Sequence, residues 1–366
     1  MAGLFDPYSL QSITLRNRIV VPPMCQYMAE DGVANDWHTV HYSSMARGGA
    51  GLVIVEATSV SPEGRISWAD LGLWNDQQTE ALRKVAAGIK AGGAVAGIQI
   101  GHAGRKASAA RPWEGDNHLP LGDPHAWETI APSAIAFGAG LPRIPRAMTI
   151  DDIHRVQQAT VDSAKRALDA GFEWLQLHFA HGYLAQNFFS PLSNQRTDEY
   201  GGSAEKRARY LIETFRAVRK IWPAHLPMTI RFSVVEFFGD DPAMFEESVA
   251  LLNQLKSEGL DFVDVSVGFN TPEAKIPWGS DFLLPYAARI AERTGLPTTT
   301  SWYLSGAKGA DEAIRAGKIA VGTFGRSFLS DPHWPYHAAQ ELGIENAAAI
   351  TLPAPYAHWV SRYRSK

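Results

Sequence analysis

Along this chain of 366 residues, short apolar runs alternate with longer stretches in which apolar positions recur at helical spacing. The runs predict strands over residues 18–21, 51–57, 94–99, 174–178, 229–232, 262–266, 297–300 and 320–322. Between them the helical spacing predicts crossovers, for example over 77–91, 151–170, 204–221, 246–258 and 307–316. Strands joined by helices pair in parallel, and a parallel sheet needs both faces covered. Eight such alternations in one chain favour a single-domain α/β TIM (β/α)8 barrel over an open sheet. Gly171, Gly259 and Gly295 follow predicted helices, and Ser203 ahead of Ala204-Glu205 has the character of an N-cap.

Two segments lie outside that alternation. The proline-rich stretch 101–148 is too long for an ordinary loop and is expected to form a lid or capping insertion after the third strand. The aromatic tail over about 351–366, with Tyr356, His358 and Trp359, follows the last unit. It covers a neighbouring subunit's site or packs on its own barrel; the sequence leaves both open.

Composition narrows the partners. Hydrophobic residues make up 45% and charged residues 20%, and a formal charge of -4 with pI near 6.3 gives no basic footprint for nucleic acid. No apolar run is long enough to span a membrane and no basic leader opens the chain, so a cytoplasmic protein is expected. The single cysteine, Cys25, excludes an intrachain disulfide and a multi-cysteine metal site.

The candidate chemistry lies at the strand ends, where such barrels carry their sites. The fourth strand leads into Leu177-His178-Phe179-Ala180-His181-Gly182-Tyr183, two imidazoles and a phenol aimed at one mouth. His178 and His181 are equally suited to binding an anion, ligating a metal or donating to a carbonyl, and Tyr183 can deliver a proton. A pair of structural histidines satisfied by backbone is the plain alternative.

The other ends supply Pro22-Pro23-Met24-Cys25-Gln26-Tyr27, Glu56-Ala57, Gln99 with His102 beyond it, Arg231, Ser266, Ser301-Trp302 and Gly325-Arg326. Donors abound and acids are scarce: only Glu56 qualifies as an inward carboxylate, with Asp264 taken to lie one position off the inward set. That disfavours a glycosidase, and it weakens the main competitor, a metal-dependent barrel hydrolase using the H-x-x-H pair, so no metal is expected. An electron-rich heterocycle fits better. Gln99 can pair with an imide edge, and Arg231 can stabilise negative charge on the ring of a reduced flavin. Gly322-Thr323-Phe324-Gly325-Arg326 suits a phosphate, or is simply a tight strand-to-helix turn. Gly48-Gly49-Ala50-Gly51 precedes a strand and so is no dinucleotide fingerprint. Cys25 reads equally as a small buried hydrophobe, and Tyr27, Trp302 and Trp359 as ordinary packing aromatics.

Over nearly its full length the chain resembles the old yellow enzymes, FMN-dependent ene-reductases on a TIM barrel. The likeness rests on Leu15-Arg16-Asn17-Arg18-Ile19-Val20-Val21-Pro22-Pro23-Met24-Cys25, on Gln99-Ile100-Gly101-His102-Ala103-Gly104-Arg105-Lys106, on His178 to Leu184, and on Ser190 to Ser203. Cys25 with histidine at both 178 and 181 resembles the thermophilic-like bacterial branch, and within it the xenobiotic reductases. The resemblance implies that Pro23, Met24, Cys25, Ala57, Gln99, His178, Arg231, Ser301, Trp302, Gly325 and Arg326 surround FMN. It further implies that His178 and His181 hold the substrate's oxygen, Tyr183 donates a proton and Cys25 tunes the flavin. Tyr27 and Trp302, with Trp359, would shape the substrate pocket. NADPH or NADH would supply hydride, an activated alkene would receive it in the same pocket, and a homodimer or dimer of dimers is expected.

Overall fold

The computed structural model describes residues 2–363. Eight parallel strands form one sheet: β1 (Ile19–Val21), β2 (Leu52–Ser59), β3 (Val95–Gly101), β4 (Trp174–Phe179), β5 (Met228–Val235), β6 (Phe262–Val267), β7 (Thr298–Thr300) and β8 (Gly322–Thr323). Each strand from β1 to β6 pairs with its successor, and β8 returns to pair with β1. The β7–β8 seam is joined by Ala320 N–H donating to the Thr298 carbonyl and by Thr299 Oγ1 donating to the Val321 carbonyl, each at 2.8 Å. The expected barrel is therefore present.

Helices α1 (Asp36–Arg47), α2 (Asp76–Ala91), α3 (Ile150–Asp169), α4 (Leu184–Phe189), α5 (Ala204–Arg219), α6 (Asp241–Ser257), α7 (Leu284–Thr294) and α8 (Gly306–Arg315) connect the strands. Their ends follow local chemistry. Asn75 and Gln78 cap α2 reciprocally, Thr149 and Asp152 do the same for α3, and Ser203 accepts the Lys206 N–H at the start of α5. Helix α6 begins ahead of the expected 246, because Asp240 accepts the Ala243 N–H and Pro242 needs no donor in the first turn.

Alternation along the strands divides the barrel interior into layers. At the amino-terminal end Val20, Leu52, Ile54, Trp174, Phe262 and Val321 pack together, and the hairpin of Tyr8–Leu10 with Ile13–Leu15 covers them. Trp174 and Phe262 meet edge to face at 5.8 Å. Two residues further along β4 and β6 the same inward face carries Gln176 and Asp264, and two further again His178 and Ser266. The interior thus changes from a sealed apolar base to a polar upper half.

Candidate active site

Above that polar half lies a cavity of about 1060 Å³, at the upper end of the range for ligand pockets. Pro23, Met24, Cys25 and Tyr27 enter from the segment after β1, Ala57 from β2 and Gln99 from β3. His178, His181 and Tyr183 line it after β4, and Arg231 comes from β5. Ser301 and Trp302 follow β7, and Gly325 with Arg326 follow β8. Of the residues assigned to cofactor, substrate or catalysis only Trp359 is elsewhere: it sits on the helix Ala354–Val360, 70% exposed, and does not line the cavity of its own chain.

Several lining residues escaped the sequence reading. Pro112 and Asp116 reach in from the 101–148 segment, and Trp113 beside them meets Tyr27 edge-on at 5.8 Å. Tyr303, Leu304, Ser327 and Leu329 complete the far wall, and Arg326 lies 4.6 Å over the Tyr303 ring. They sit in loops and short helical turns outside the strands, where strand alternation gives no signal.

The chain reverses sharply after β4, with His181 at φ 63° and Gly182 at φ 66°, before α4 begins. The reversal gathers three rings: His178 stands 4.9 Å from both His181 and Tyr183, edge to face with each. The buried ammonium of Lys106 supports this turn by donating to the His181 carbonyl at 2.8 Å and the Phe269 carbonyl at 2.5 Å. Burial, then the neighbouring Arg105 charge, pushes Lys106 down to about 7. Lys106 was legible only as part of the Gly101–Lys106 motif, with no role attached.

His178 Nδ1 accepts the Ala180 N–H at 3.3 Å, so in the neutral ring the proton is on Nε2. Burial first, and the positive Arg231 next, hold both imidazoles well below their ordinary value, so both are neutral at pH 7. Burial raises the Tyr183, Tyr27 and Cys25 groups, which therefore stay protonated; for Cys25 the nearby Asp70 and Glu56 carboxylates add to the effect. A thiol so held is no nucleophile at neutral pH.

Two acids sit differently from expectation. Asp264 points inward, because it shares parity with Phe262 and Ser266 and stands in register with Arg231. Its Oδ2 is 3.2 Å from Arg231 Nε, and Ser301 Oγ donates to the same carboxylate at 3.0 Å. Glu56, by contrast, points outward. A bulge between Val55 and Thr58 sets two residues against Gln99, turning Ala57 into the cavity and Glu56 towards α1. There its carboxylate accepts the Tyr42 hydroxyl at 2.8 Å and the Gln26 N–H at 2.7 Å, holding the Cys25–Tyr27 segment from behind.

The sequence profile of the NADH:flavin oxidoreductase / NADH oxidase family matches residues 3–345. The chain belongs to that family, the old yellow enzymes. It is 40% identical to an NADPH dehydrogenase of Geobacillus thermodenitrificans over 349 residues, which cover 95% of this chain and 96% of that protein. The NADPH dehydrogenase of Bacillus pumilus is 39% identical over 343 residues, 93% of this chain and 95% of the other. Among solved structures, morphinone reductase in complex with tetrahydroNAD superposes with a TM-score of 0.77 at 26% identity, covering 98% of this chain and 94% of that one. The old yellow enzyme homologue of Zymomonas mobilis gives 0.78 at 25% identity over 93% of each chain.

Membership makes this old yellow enzyme a flavin-dependent oxidoreductase with FMN as cofactor and a nicotinamide as hydride donor. The donor set fits a flavin. Arg231 Nε is buried with no hydrogen-bond partner among the described residues, its contact with Asp264 being one of proximity and charge. Gln99 spends one N–H on Gln176 Oε1 at 2.7 Å and keeps its carbonyl and second N–H for an imide edge. A side chain at Gly325 would meet Met24 Sδ at 3.1 Å, where two cavity-lining segments come close. The hydrolase alternative has no support: among the described residues no three His, Cys, Asp or Glu side chains gather as metal ligands.

Proposed function

We propose that this old yellow enzyme reduces activated C=C bonds in enones, enals, maleimides and nitroalkenes, with NADPH as the donor and both substrates using one pocket in turn. The observation that carries this reading is the convergence of His178, His181 and Tyr183 on one side of a cavity that Gln99 and Arg231 also line. FMN held by these residues would supply the hydride chemistry that couples nicotinamide oxidation to reduction of the alkene at its β-carbon.

The protein's own residues supply the rest. His178 and His181, neutral donors, grip the carbonyl or nitro oxygen and withdraw charge from the double bond. Tyr183, held protonated by burial, gives its proton to the α-carbon. Arg231, which lines the cavity, serves the negative side of the flavin, and Gly325 with Arg326 serve the phosphate. Cys25 sits as a neutral thiol, suited to tuning the ring by hydrogen bonding. Tyr27 and Trp302 shape the substrate end, and the 101–148 segment acts as its lid through Pro112 and Asp116.

The enzyme acts on small molecules in the cytoplasm, most like the xenobiotic reductases within its family. No helix among the described residues is long and apolar enough to cross a membrane. We further read the exposed tail aromatics, Tyr356 at 41% and Trp359 at 70%, as the contact of a homodimer or dimer of dimers. Stopped-flow measurement of both half-reactions tests the central reading. Anaerobic NADPH should bleach the yellow protein, and cyclohexenone, maleimides or nitroalkenes should restore its colour. Bleaching that none of these acceptors reverses would defeat the ene-reductase assignment.

A further inference from the structure

An imidazole donates to a carbonyl oxygen only from a nitrogen that bears hydrogen, so the tautomer of each clamp histidine decides what it offers. For His178 the backbone sets it. For His181 the partner is a side chain: Nε2 lies 2.6 Å from Ser266 Oγ on β6. The same oxygen receives the Trp302 Nε1–H at 2.9 Å. An indole nitrogen can only donate, so one lone pair of Ser266 is committed. Ser266 is fully buried, and among the described residues His181 Nε2 is the one acceptor its hydrogen can reach. The opposite arrangement, with Nε2–H donating, would strand a buried hydroxyl hydrogen.

We propose that Ser266 is a positioning residue, oriented by the Trp302 indole, that fixes His181 as the Nδ1–H tautomer and so makes Nδ1–H the group offered to the substrate oxygen. The two histidines then present unlike nitrogens, Nε2–H from His178 and Nδ1–H from His181. Trp302, a pocket wall by its ring, acts through its N–H at the opposite end of a three-member chain. The inference rests on the oxygen-clamp reading in its last step; the tautomer itself does not depend on that reading.

The test uses FMN-loaded protein with 15N-labelled histidine and long-range proton–nitrogen correlation spectra, the His181 signals being assigned with His181→Asn. The expected result is a bare Nε2 and a protonated Nδ1 in the parent protein at pH 7. Ser266→Ala should shift His181 towards Nε2–H and weaken binding of p-hydroxybenzaldehyde about tenfold, the equivalent of one hydrogen bond. Ser266→Thr, which keeps the hydroxyl, should restore both, and Trp302→Phe should fall between. An Nε2–H ring in the parent protein, or an unchanged tautomer in Ser266→Ala, would overturn the proposal even where His181→Ala loses the phenol. A tautomer shift in Ser266→Ala while His181→Ala binds the phenol normally would uphold the role of Ser266 in setting the ring and remove the clamp.

Discussion

Phenols bound beside an oxidised flavin imitate the enolate oxygen held during alkene reduction, so replacing one clamp histidine at a time isolates its contribution. His178 and His181 lie with ring centres 4.9 Å apart and line the same cavity, and each is held neutral by burial and by Arg231. A neutral N–H donating to a phenolate contributes about 1.5–3 kcal/mol. Each single alanine variant should therefore weaken p-hydroxybenzaldehyde about 10- to 150-fold. The double variant should depart from additivity, because both groups grip one atom. Titration of the phenol-induced long-wavelength absorbance measures all four proteins.

The same experiment run against pH fixes the charge on the clamp. Both imidazoles have values lowered well below 6.5, so acidification through 6.5 leaves them uncharged and their donor capacity intact. Affinity should change through the phenol's own ionisation, tightening as the pH rises past it, and through Lys106, which is pushed down to about 7, with no inflection that belongs to either histidine. An inflection near 6.5 that disappears in His178→Asn or His181→Asn would refute the neutral clamp. Unchanged affinity in both alanine variants would refute the clamp altogether.

Other variants probe single elements of the site. Tyr183→Phe should slow alkene reduction and leave flavin reduction by NADPH nearly intact in stopped flow; equal loss in both halves would remove its role as proton donor. Cys25→Ser should shift the flavin's reduction potential with turnover retained, and a flavin-loaded but inactive variant would give the thiol a direct chemical part. Glu56→Leu strips the acceptor from the Gln26 N–H and the Tyr42 hydroxyl and should cost about 2–4 kcal/mol in urea unfolding; stability equal to the parent would contradict the anchoring described for it. Gly182→Ala would bring a Cβ to 2.2 Å from the Phe269 carbonyl oxygen at φ 66°, and should lower both the melting temperature and phenol affinity; a variant matching the parent in both would show that this turn is not constrained.

Much of this architecture was legible because parallel strands buried on both faces write themselves as apolar runs. Trp174–Phe179 and Phe262–Val267 match their expected positions within a residue at their ends. The last strand differs more, 320–322 expected against Gly322–Thr323, because Ala320 is spent on the seam with Thr298 before the ladder with β1 begins. Site residues on or just after strands were found because barrel geometry sends strand ends to one mouth. Trp359 has no such constraint on its position. Asp116 was missed for the same reason, since the path of a long loop depends on tertiary packing and not on its own periodicity, and Tyr303, in the short turn between β7 and α8, because its direction follows from a left-handed backbone at φ 53°.

The misassigned acids show how the site is built. Strict alternation along β2 would aim Glu56 into the barrel beside Gln99, and a single bulge exchanges it for Ala57. That exchange removes an acidic side chain from the cavity face beside Gln99, and uses it to anchor the segment carrying Cys25 and Tyr27. Asp264 remains inside, but Arg231 and Ser301 engage it. Gln99 is likewise paired with Gln176, and the Thr299 and Thr323 hydroxyls lie 2.8 Å apart. Buried polar groups are costly when unpaired, so this layer satisfies most of its own demands. Arg231 and His178 line the cavity nonetheless, and the Nε2–H that the backbone leaves free on His178 suits a ligand that gains negative charge as it reacts.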